Sequence, residues 1–354
     1  RISLESIPGV PQNEFHAGPW GCMKGWLRRS LFVLRKGETA MDDNLRSLLR
    51  DCVLCPRECH VDRTRGEKGF CRETDQVMAA RAALHMWEEP CISGNRGSGT
   101  VFFSGCSLRC VFCQNGSISS GQVGRPVTTE RLAQIFLELE EQNAANINLV
   151  TPDHFLVTIL EALEQARKRG LGIPVVYNCS GYEKVESLRL LEGAVDIYLP
   201  DFNYMSPVLS AKYSHAPDYS EKAKTALEEM VRQTGPCIFD SHGMLRKGTV
   251  VRHLVLPGYI RDSMKIVEYL YGTYGDQIYI SLMNQYTPLP RAADYPEISR
   301  RLTTYEYQKV VDYALELGVK NGYMQRGKTA RESFIPDFDC RGIEEPERGL
   351  NGQG

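Results

Sequence analysis

Three cysteines that lie directly after an apolar run constrain this chain more than any other feature. Cys106, Cys110 and Cys113 form a C-x3-C-x2-C group that follows the apolar residues 99–104. Three thiolates on one loop can hold three irons of a 4Fe-4S cube, whereas an ordinary ferredoxin cluster takes four cysteines. The fourth iron of such a cube is then free to bind a reacting molecule. A zinc loop or three buried thiols are the alternative interpretations.

The overall composition is typical of a cytosolic enzyme. The chain has 354 residues, which is within what one α/β barrel with an appended module occupies. Its formal net charge of -2 argues against a general nucleic-acid-binding protein, which would normally carry a basic excess. Since no apolar run reaches the roughly 18 residues that span a bilayer, we expect no membrane partner. Seven of the twelve cysteines fall in two groups, which favours metal binding in a reducing compartment over disulfides.

Residues 1–40 differ in character from the rest. A turn-rich start leads into the basic stretch 24–36, whose longest apolar run covers only residues 31–34. A secretory signal would need an apolar region of about 7–15 residues. We expect an extension or tag-like segment here, or alternatively a short amphipathic surface helix, with the natural fold beginning near Met41.

A second cysteine group precedes the first. Cys52, Cys55, Cys59 and Cys71 are spaced C-x2-C-x3-C-x11-C. Four thiolates suit either a tetrahedral zinc ion or a complete second iron-sulfur cluster, and the sequence does not choose between them. Unliganded thiols are the remaining alternative. We interpret His85 and Cys91, in the connector that follows, as structural.

From residue 99 onward, strand-like and helix-like patterns alternate. Apolar residues at i, i+3, i+4 and i+7 predict a helix that follows Thr128 and another that ends at Gly170. Further helices are predicted near 183–192, 220–234, 262–271 and 303–317, the last with a Thr303-x-x-Glu306 capping box. Strands are predicted near 99–104, 146–150, 173–178, 195–199, 249–256, 277–283 and, more weakly, 321–325. This alternation implies an α/β fold with a parallel sheet and helices outside it.

Distinctive polar segments fall where the predicted strands end. The cysteine loop follows the first strand, and residues 148–152, 177–182 and 198–203 follow the next three. The fifth strand carries Arg252 and His253, and the sixth leaves through residues 281–288. In α/β barrels the reactive groups lie on loops at the C-terminal ends of the strands. We therefore expect these segments to open on one rim together with the cysteine loop.

These pieces together resemble the radical S-adenosylmethionine (SAM) superfamily, in particular its pyruvate formate-lyase activating enzyme-like (PflX-type) branch. The matching segments are Cys55-Pro-Arg-x-Cys59, Gly105-Cys-x3-Cys-x2-Cys-Gln-Asn115, Asn148-Leu-Val-Thr-Pro152, Tyr198-Leu-Pro-Asp201, Arg252-His-Leu-Val-Leu-Pro257 and Ser281-Leu-Met-x-Gln-Tyr-Thr-Pro288. The resemblance implies a partial (β/α)6 barrel over residues 99–326. We expect a small Cys-rich metal-binding module over 41–98 before it and a C-terminal tail over 327–354 after it.

The resemblance also implies a reaction. The methionyl amine and carboxylate of SAM would chelate the open iron, and an electron from the reduced cluster would cleave SAM to a 5′-deoxyadenosyl radical that abstracts hydrogen from a substrate. The barrel would orient SAM and exclude water. A reductant such as flavodoxin or ferredoxin would supply the electron.

Positions for SAM contacts follow from the same resemblance. The expected cofactor-binding residues are Phe112, Asn115, Val150, Thr151, Asn178, Ser180, Asp201 and His253. Phe112 would lie along the adenine, and the backbone of Val150 and Thr151 would receive the methionyl amine. Asn178 and Ser180 would contact the ribose or the carboxylate.

The chain departs from the family pattern at two places. Thr151-Pro152 replaces a Gly-Gly-Glu segment that binds the methionyl amine in relatives. Asp201 matches the aspartate of an Asp-x-Lys motif in glycyl-radical activases, but the lysine position is Asn203. The missing ammonium weakens the activase interpretation more than the SAM interpretation.

We therefore expect a cytoplasmic radical SAM enzyme, activase-like and acting on a protein or peptide. A radical SAM enzyme that acts on a small molecule is the first alternative. An iron-sulfur electron carrier or metal-binding scaffold without SAM chemistry is an alternative of a different class. The sequence does not identify the substrate.

Overall fold

The computed structural model describes residues 3–6, 45–326 and 336–344, so most of the predicted extension (1–40) and tail (327–354) lies outside it. The strands are β1 (Ser3–Ser6), β2 (Val77–His85), β3 (Ser98–Phe103), β4 (Arg125–Val127), β5 (Ile147–Val150), β6 (Val175–Cys179), β7 (Ile197–Pro200), β8 (Ile238–Phe239), β9 (Leu245–Leu254), β10 (Tyr279–Met283) and β11 (Gly322–Arg326). The helices are α1 (residues 45–50), α2 (Pro90–Ser93), α3 (Gly116–Ser119), α4 (Thr129–Glu141), α5 (Leu156–Lys168), α6 (Val185–Leu190), α7 (Pro207–Ser214), α8 (Tyr219–Thr234), α9 (Ile260–Tyr274) and α10 (Thr304–Glu316).

One curved sheet contains these strands in the order β1-β11-β10-β9-β7-β6-β5-β3-β2-β4, with β8 paired to β9. The strands from β3 through β5, β6, β7, β9 and β10 to β11 are parallel. The predicted α/β class and the six main strands are therefore confirmed, and the weak pattern at 321–325 forms a seventh parallel strand. Antiparallel β2 and β1 extend the two sides of this parallel array.

Amphipathic helices cover the outer face of the sheet. In α4 the residues that repeat at helical spacing, among them Leu132, Phe136 and Leu139, are buried against the sheet. The capping box that opens α10 is formed, with Thr303 and Glu306 bonding to each other's backbone N–H groups. Among the described residues, no helix is both long enough and apolar enough to cross a membrane.

The segment that follows β2 covers the inner face of the sheet at the end where the parallel strands begin. Because β2 runs antiparallel to β3, with His85 opposite Ser98, it ends where the parallel strands begin. The residues that follow enter the space enclosed by the sheet, and Cys91 and Ile92 of α2 pack there against inward-facing apolar residues such as Val176 and Leu199. The floor of the barrel is thus built by a segment that precedes its first parallel strand.

Candidate active site at the three-cysteine loop and the barrel interior

The three-cysteine loop begins where β3 ends. Gly105 has a φ of +82°, in the left-handed region that favours glycine. A Cβ atom here would lie 2.7 Å from the carbonyl oxygen of Cys71, so glycine lets the loop approach the backbone of the second cysteine group. Arg109 also has a positive φ, of 54°, and turns the chain between Cys106 and Cys110.

The thiols of this loop are partly buried and receive hydrogen bonds. Cys106 Sγ accepts from the backbone N–H groups of Leu108 and Arg109 at 3.4 and 3.5 Å. The Ser214 hydroxyl donates to Cys110 Sγ at 2.9 Å. Burial raises the pKa of Cys106 and the pKa of Cys110, and the charge of a neighbouring cysteine of the loop raises both further. The pKa of Cys110 reaches about 12. Thiolates held so close repel one another, and bound iron would neutralise that repulsion.

The donor chemistry of the loop fits a 4Fe-4S cluster. Cys106, Cys110 and Cys113 would supply three thiolates to three different irons of one cube. Within residues 45–326 and 336–344, no three or more His, Cys, Asp or Glu side chains are arranged around a single metal ion. A cube does not need such an arrangement, because its cysteine ligands are spread over separate irons.

The second cysteine group lies beside this loop. Burial raises the pKa of Cys55, and the charges of Cys71 and Cys52 raise it further. Burial also raises the pKa of Cys71 to about 11. Cys59 Sγ accepts from the backbone N–H of Phe70 at 3.3 Å. The structure therefore brings Cys52, Cys55 and Cys71 within electrostatic reach of one another.

Four arginines, which we call the arginine face, surround the outer side of the cysteine loop: Arg57, Arg72, Arg109 and Arg291. The last three line a cavity of about 240 Å³, the outer cavity, which Cys110 also lines. Arg57 donates to the carbonyl oxygen of Ser107 at 2.8 Å. Burial, and then the positive charges of Arg72, Arg291 and Arg57, lowers the pKa of Arg109. In the part of the chain that the structure describes, none of the four pairs with a carboxylate.

A second cavity, the inner cavity, has a volume of about 140 Å³ and lies on the inner face of the sheet. It is lined by His85, Trp87, Glu88, Glu89, Phe102, Gln114, Asn115, Val150, Asn178, Arg252, Met283, Gln285, Gln325 and Pro336. Gln114 and Asn115 directly follow Cys113, so this cavity starts at the cysteine loop. Three of the predicted cofactor residues, Asn115, Val150 and Asn178, meet here.

Arg252 of β9 organises the polar wall of the inner cavity. Its guanidinium donates to Asp201 at 2.9 Å, to Glu88 at 3.2 Å and to the side-chain oxygen of Asn178 at 2.6 Å. Glu88 in turn accepts from the amides of Asn148 and Asn178 at 3.1 and 3.3 Å. Asp201 is therefore connected to the cavity through Arg252.

Thr151, where relatives carry Gly-Gly-Glu, has a φ of +57°. This left-handed conformation is unfavourable for a β-branched residue and is usual for glycine. The Thr151 N–H donates to the Asn178 carbonyl at 2.9 Å, which holds the strained backbone beside β6. Residues in such conformations cluster at functional sites.

Other predicted site residues lie away from the inner cavity. Phe112 is buried and packs against Tyr204, Tyr213 and Tyr286, with ring centroids 6.0–6.5 Å away. Ser180 bonds within its own turn, to the N–H of Tyr182 at 3.4 Å.

Two residues lie on the outer face of the sheet because side chains alternate along a strand. His253 follows Arg252 and is buried, with its Nδ1 2.8 Å from the Phe202 carbonyl oxygen. Burial lowers its pKa to about 4, so its imidazole is neutral near pH 7. Cys179 follows Asn178 and packs among the core residues beneath the helices.

Sequence reasoning missed several residues of the site. Glu88 and Glu89 lie in the connector after β2, where nothing in the local pattern indicates that the chain enters the barrel. The four residues of the arginine face come from four separated segments, so no continuous basic run in the sequence indicates this surface. The signal that could have been used is Glu88-Glu89-Pro90, a carboxylate pair placed between an apolar strand and a proline.

Comparison with known proteins identifies the class. A sequence profile described as the radical SAM superfamily matches residues 100–270, which contain the three-cysteine loop. The chain is 30% identical over 279 residues to the uncharacterized protein MJ0674 of Methanocaldococcus jannaschii, covering 76% of this chain and 75% of that protein. The chain belongs to the radical SAM superfamily, and this membership implies a 4Fe-4S cluster and SAM as cofactors.

Solved structures include more distant matches. The structure of Streptococcus suis SuiB bound to S-adenosylmethionine is 12% identical, with a TM-score of 0.40, over 63% of this chain and 48% of SuiB. SuiB bound to precursor peptide SuiA gives a TM-score of 0.39 at 12% identity, over 63% of this chain and 46% of SuiB. The chain thus spans about half the length of SuiB.

Proposed function

We propose that this protein cleaves SAM reductively and abstracts hydrogen from a protein or peptide, as an activase-like member of the PflX-type branch. The observation that carries the proposal is the continuity between the cysteine loop and the inner cavity, since Gln114 and Asn115 line that cavity directly after Cys113. When bound, the 4Fe-4S cluster supplies the electron that converts SAM into methionine and a 5′-deoxyadenosyl radical. The motif segments from Cys55 to Pro288 support the activase-like assignment.

The chain's own residues would position SAM and the substrate. The strained backbone at Thr151 would present its polar groups to the methionyl amine, in place of the glycine-rich segment of relatives. Asn178, held by Arg252 at 2.6 Å, has a fixed orientation and would contact the ribose or the carboxylate. Asp201 would contribute indirectly, because its carboxylate accepts a hydrogen bond from Arg252 and so helps to hold that guanidinium in place. The apolar packing of Cys91 and Ile92 against the strands would limit the entry of water from that end of the barrel, which protects a reactive radical.

A small-molecule substrate is the second candidate, and the size of the inner cavity favours it. A volume of about 140 Å³ admits a small molecule or a single side chain rather than a folded segment. A peptide substrate would therefore insert one side chain. Deuterium transfer into 5′-deoxyadenosine distinguishes the two candidates. A protein or peptide substrate would supply the label only from a deuterated protein fraction, and a small-molecule substrate only from a deuterated low-mass fraction.

The first prediction concerns SAM cleavage. With dithionite and SAM, the anaerobically reconstituted protein should form 5′-deoxyadenosine. Replacement of Cys106, Cys110 or Cys113 by alanine should reduce its formation to background, because a thiolate ligand is lost. Cys237→Ala removes a partly buried thiol on another segment and should retain activity. Chromatographic quantitation of 5′-deoxyadenosine decides, and turnover by any of the three loop variants would refute the assignment.

The second prediction concerns the N-terminal cysteines, for which we propose a metal of their own. In the Cys106/Cys110/Cys113 triple-alanine variant, Cys52, Cys55, Cys59 and Cys71 should still bind about one zinc, or about four irons with sulfide, per chain. Elemental and sulfide analysis measures this and distinguishes the two metals. A folded, metal-free triple variant would show that the four cysteines are ordinary thiols.

Electrons would enter at the arginine face from an acidic, low-potential carrier such as a flavodoxin or ferredoxin. The arginine face lies over Cys110, carries four positive charges without carboxylate partners among the described residues, and stands in a chain of net charge -2. Complementary charge accelerates the encounter of protein partners.

The third prediction tests this entry route. The Arg72→Ala/Arg291→Ala variant should slow reduction by flavodoxin about tenfold or more at low salt, because charge steering raises association rates by that order. Reduction by dithionite should be unchanged. Arg261→Ala, at an exposed arginine of α9, is the matched control. Stopped-flow absorbance at low and high salt measures the rates; equal flavodoxin rates for the wild type and the double variant would contradict the proposal.

A further inference from the structure

The charges of three carboxylates, Asp201, Glu88 and Glu89, act on the guanidinium of Arg252. Asp201 and Glu88 accept hydrogen bonds from Arg252. Glu89, which also lines the cavity, has no such bond. The other ionisable group of the lining is His85, and burial, followed by the charges of Arg81 and Arg252, lowers its pKa to about 4. Near pH 7 the imidazole is neutral and adds no positive charge.

Glu89 is buried without a hydrogen-bond partner for one of its carboxylate oxygens. Its exposed fraction is 4%, and Oε2 has no donor among the residues that the structure describes. Buried carboxylates are normally paired, so each exception needs an explanation. Oδ1 of Asn148, the residue whose amide donates to Glu88, likewise has no donor in the described part of the chain. Of these two acceptors, only Glu89 lines the inner cavity. The neutral hydroxyl of Ser281 lies close to the Glu89 carboxylate and lowers its pKa, so what the carboxylate lacks is a charged donor of its own.

Burial raises the pKa values of Glu88 and Glu89, and the like charge of Glu88 raises that of Glu89 further. Arg252 opposes both shifts but is shared with Asp201. A bound cation would stabilise the two ionised carboxylates. An ammonium or guanidinium group has only donors and a positive charge, which is the complement of this set of acceptors.

Size agrees with such a group. The inner cavity, with a volume of about 140 Å³, has room for several water molecules and therefore for the end of an alkylammonium or alkylguanidinium chain. The acidic pair lies on the barrel floor, formed by the segment after β2, and Gln114 and Asn115 lie next to the cysteine loop. A chain that binds the floor by its cationic end would extend toward that loop.

We propose that the inner cavity binds the ammonium or guanidinium group of the substrate through Glu89 and Glu88, so that the radical acts on a molecule or side chain with a basic end. The radical reaction on the bound group rests on the proposed function, whereas the binding of the cation does not depend on it. Glu89 is a specificity-determining residue in this account, and Arg252 keeps Glu88 in place.

Calorimetric titration of the reconstituted protein with n-butylammonium and n-butylguanidinium tests the binding without turnover. Both cations should bind with one-to-one stoichiometry, whereas n-butanol and n-butyrate should not. Glu89→Gln should weaken cation binding about tenfold to a hundredfold, the scale of one charged hydrogen bond, and Glu89→Asp should retain most of the affinity. Glu186→Gln, at an exposed glutamate of α6, is the matched control and should bind as the wild type does.

Equal binding of the cations and butanol, or unchanged cation affinity in Glu89→Gln, would overturn the proposal. If Glu89→Gln does not fold, two measurements still test the proposal. The cation affinity of Glu88→Gln should be weakened, and the wild type should bind butylammonium but not butyrate. SAM affinity, measured in parallel, should be the same for Glu89→Gln and the wild type; a matching loss would assign Glu89 to SAM instead. Absence of 5′-deoxyadenosine from the wild type would refute the proposed function alone, because cation binding is measured without turnover.

Discussion

The partly buried guanidinium of Arg252 connects the parts of the chain that form the inner cavity. It joins β9 to Asp201 at the end of β7, to Asn178 of β6 and to Glu88 in the segment after β2. Removing one partner of a charge pair that is largely shielded from solvent leaves the other partner unpaired, which destabilises the fold. The barrel floor, the middle strands and the polar wall are therefore tied together by one side chain, and the shape of the cavity depends on it.

The cysteine loop depends on a different constraint, which is backbone conformation. The positive φ values at Gly105 and Arg109 turn the loop after β3 against the backbone of Cys71, so the two cysteine groups become neighbours although they are far apart in sequence. The loop then has two sides: Cys110 borders the outer cavity and the arginine face, and the residues after Cys113 border the inner cavity. Electron supply and substrate binding would thus occur on opposite sides of one loop.

Local patterns predicted much of this molecule. The helices of the outer layer follow apolar spacing, the capping box of α10 is formed, and the cysteine spacing led to the superfamily. Helix α7 was missed because its buried residues, Ser210, Tyr213 and Ser214, do not form an apolar stripe. Glu88 and Glu89 were missed because their inward position depends on the antiparallel pairing of β2 with β3, a long-range contact that the local sequence does not encode. His253 was chosen over Arg252 for the same reason, since strand register decides which of two adjacent residues faces the cavity.

The structure is built around a three-cysteine loop that would hold a cluster with an open iron for SAM. Electron paramagnetic resonance of the reduced, reconstituted protein measures whether such an iron exists. We expect a 4Fe-4S signal with g values that shift when SAM is added, and the component that responds to SAM should be lost in the Cys106→Ala variant. A cluster signal that is identical with and without SAM would show that no iron of the cluster binds SAM.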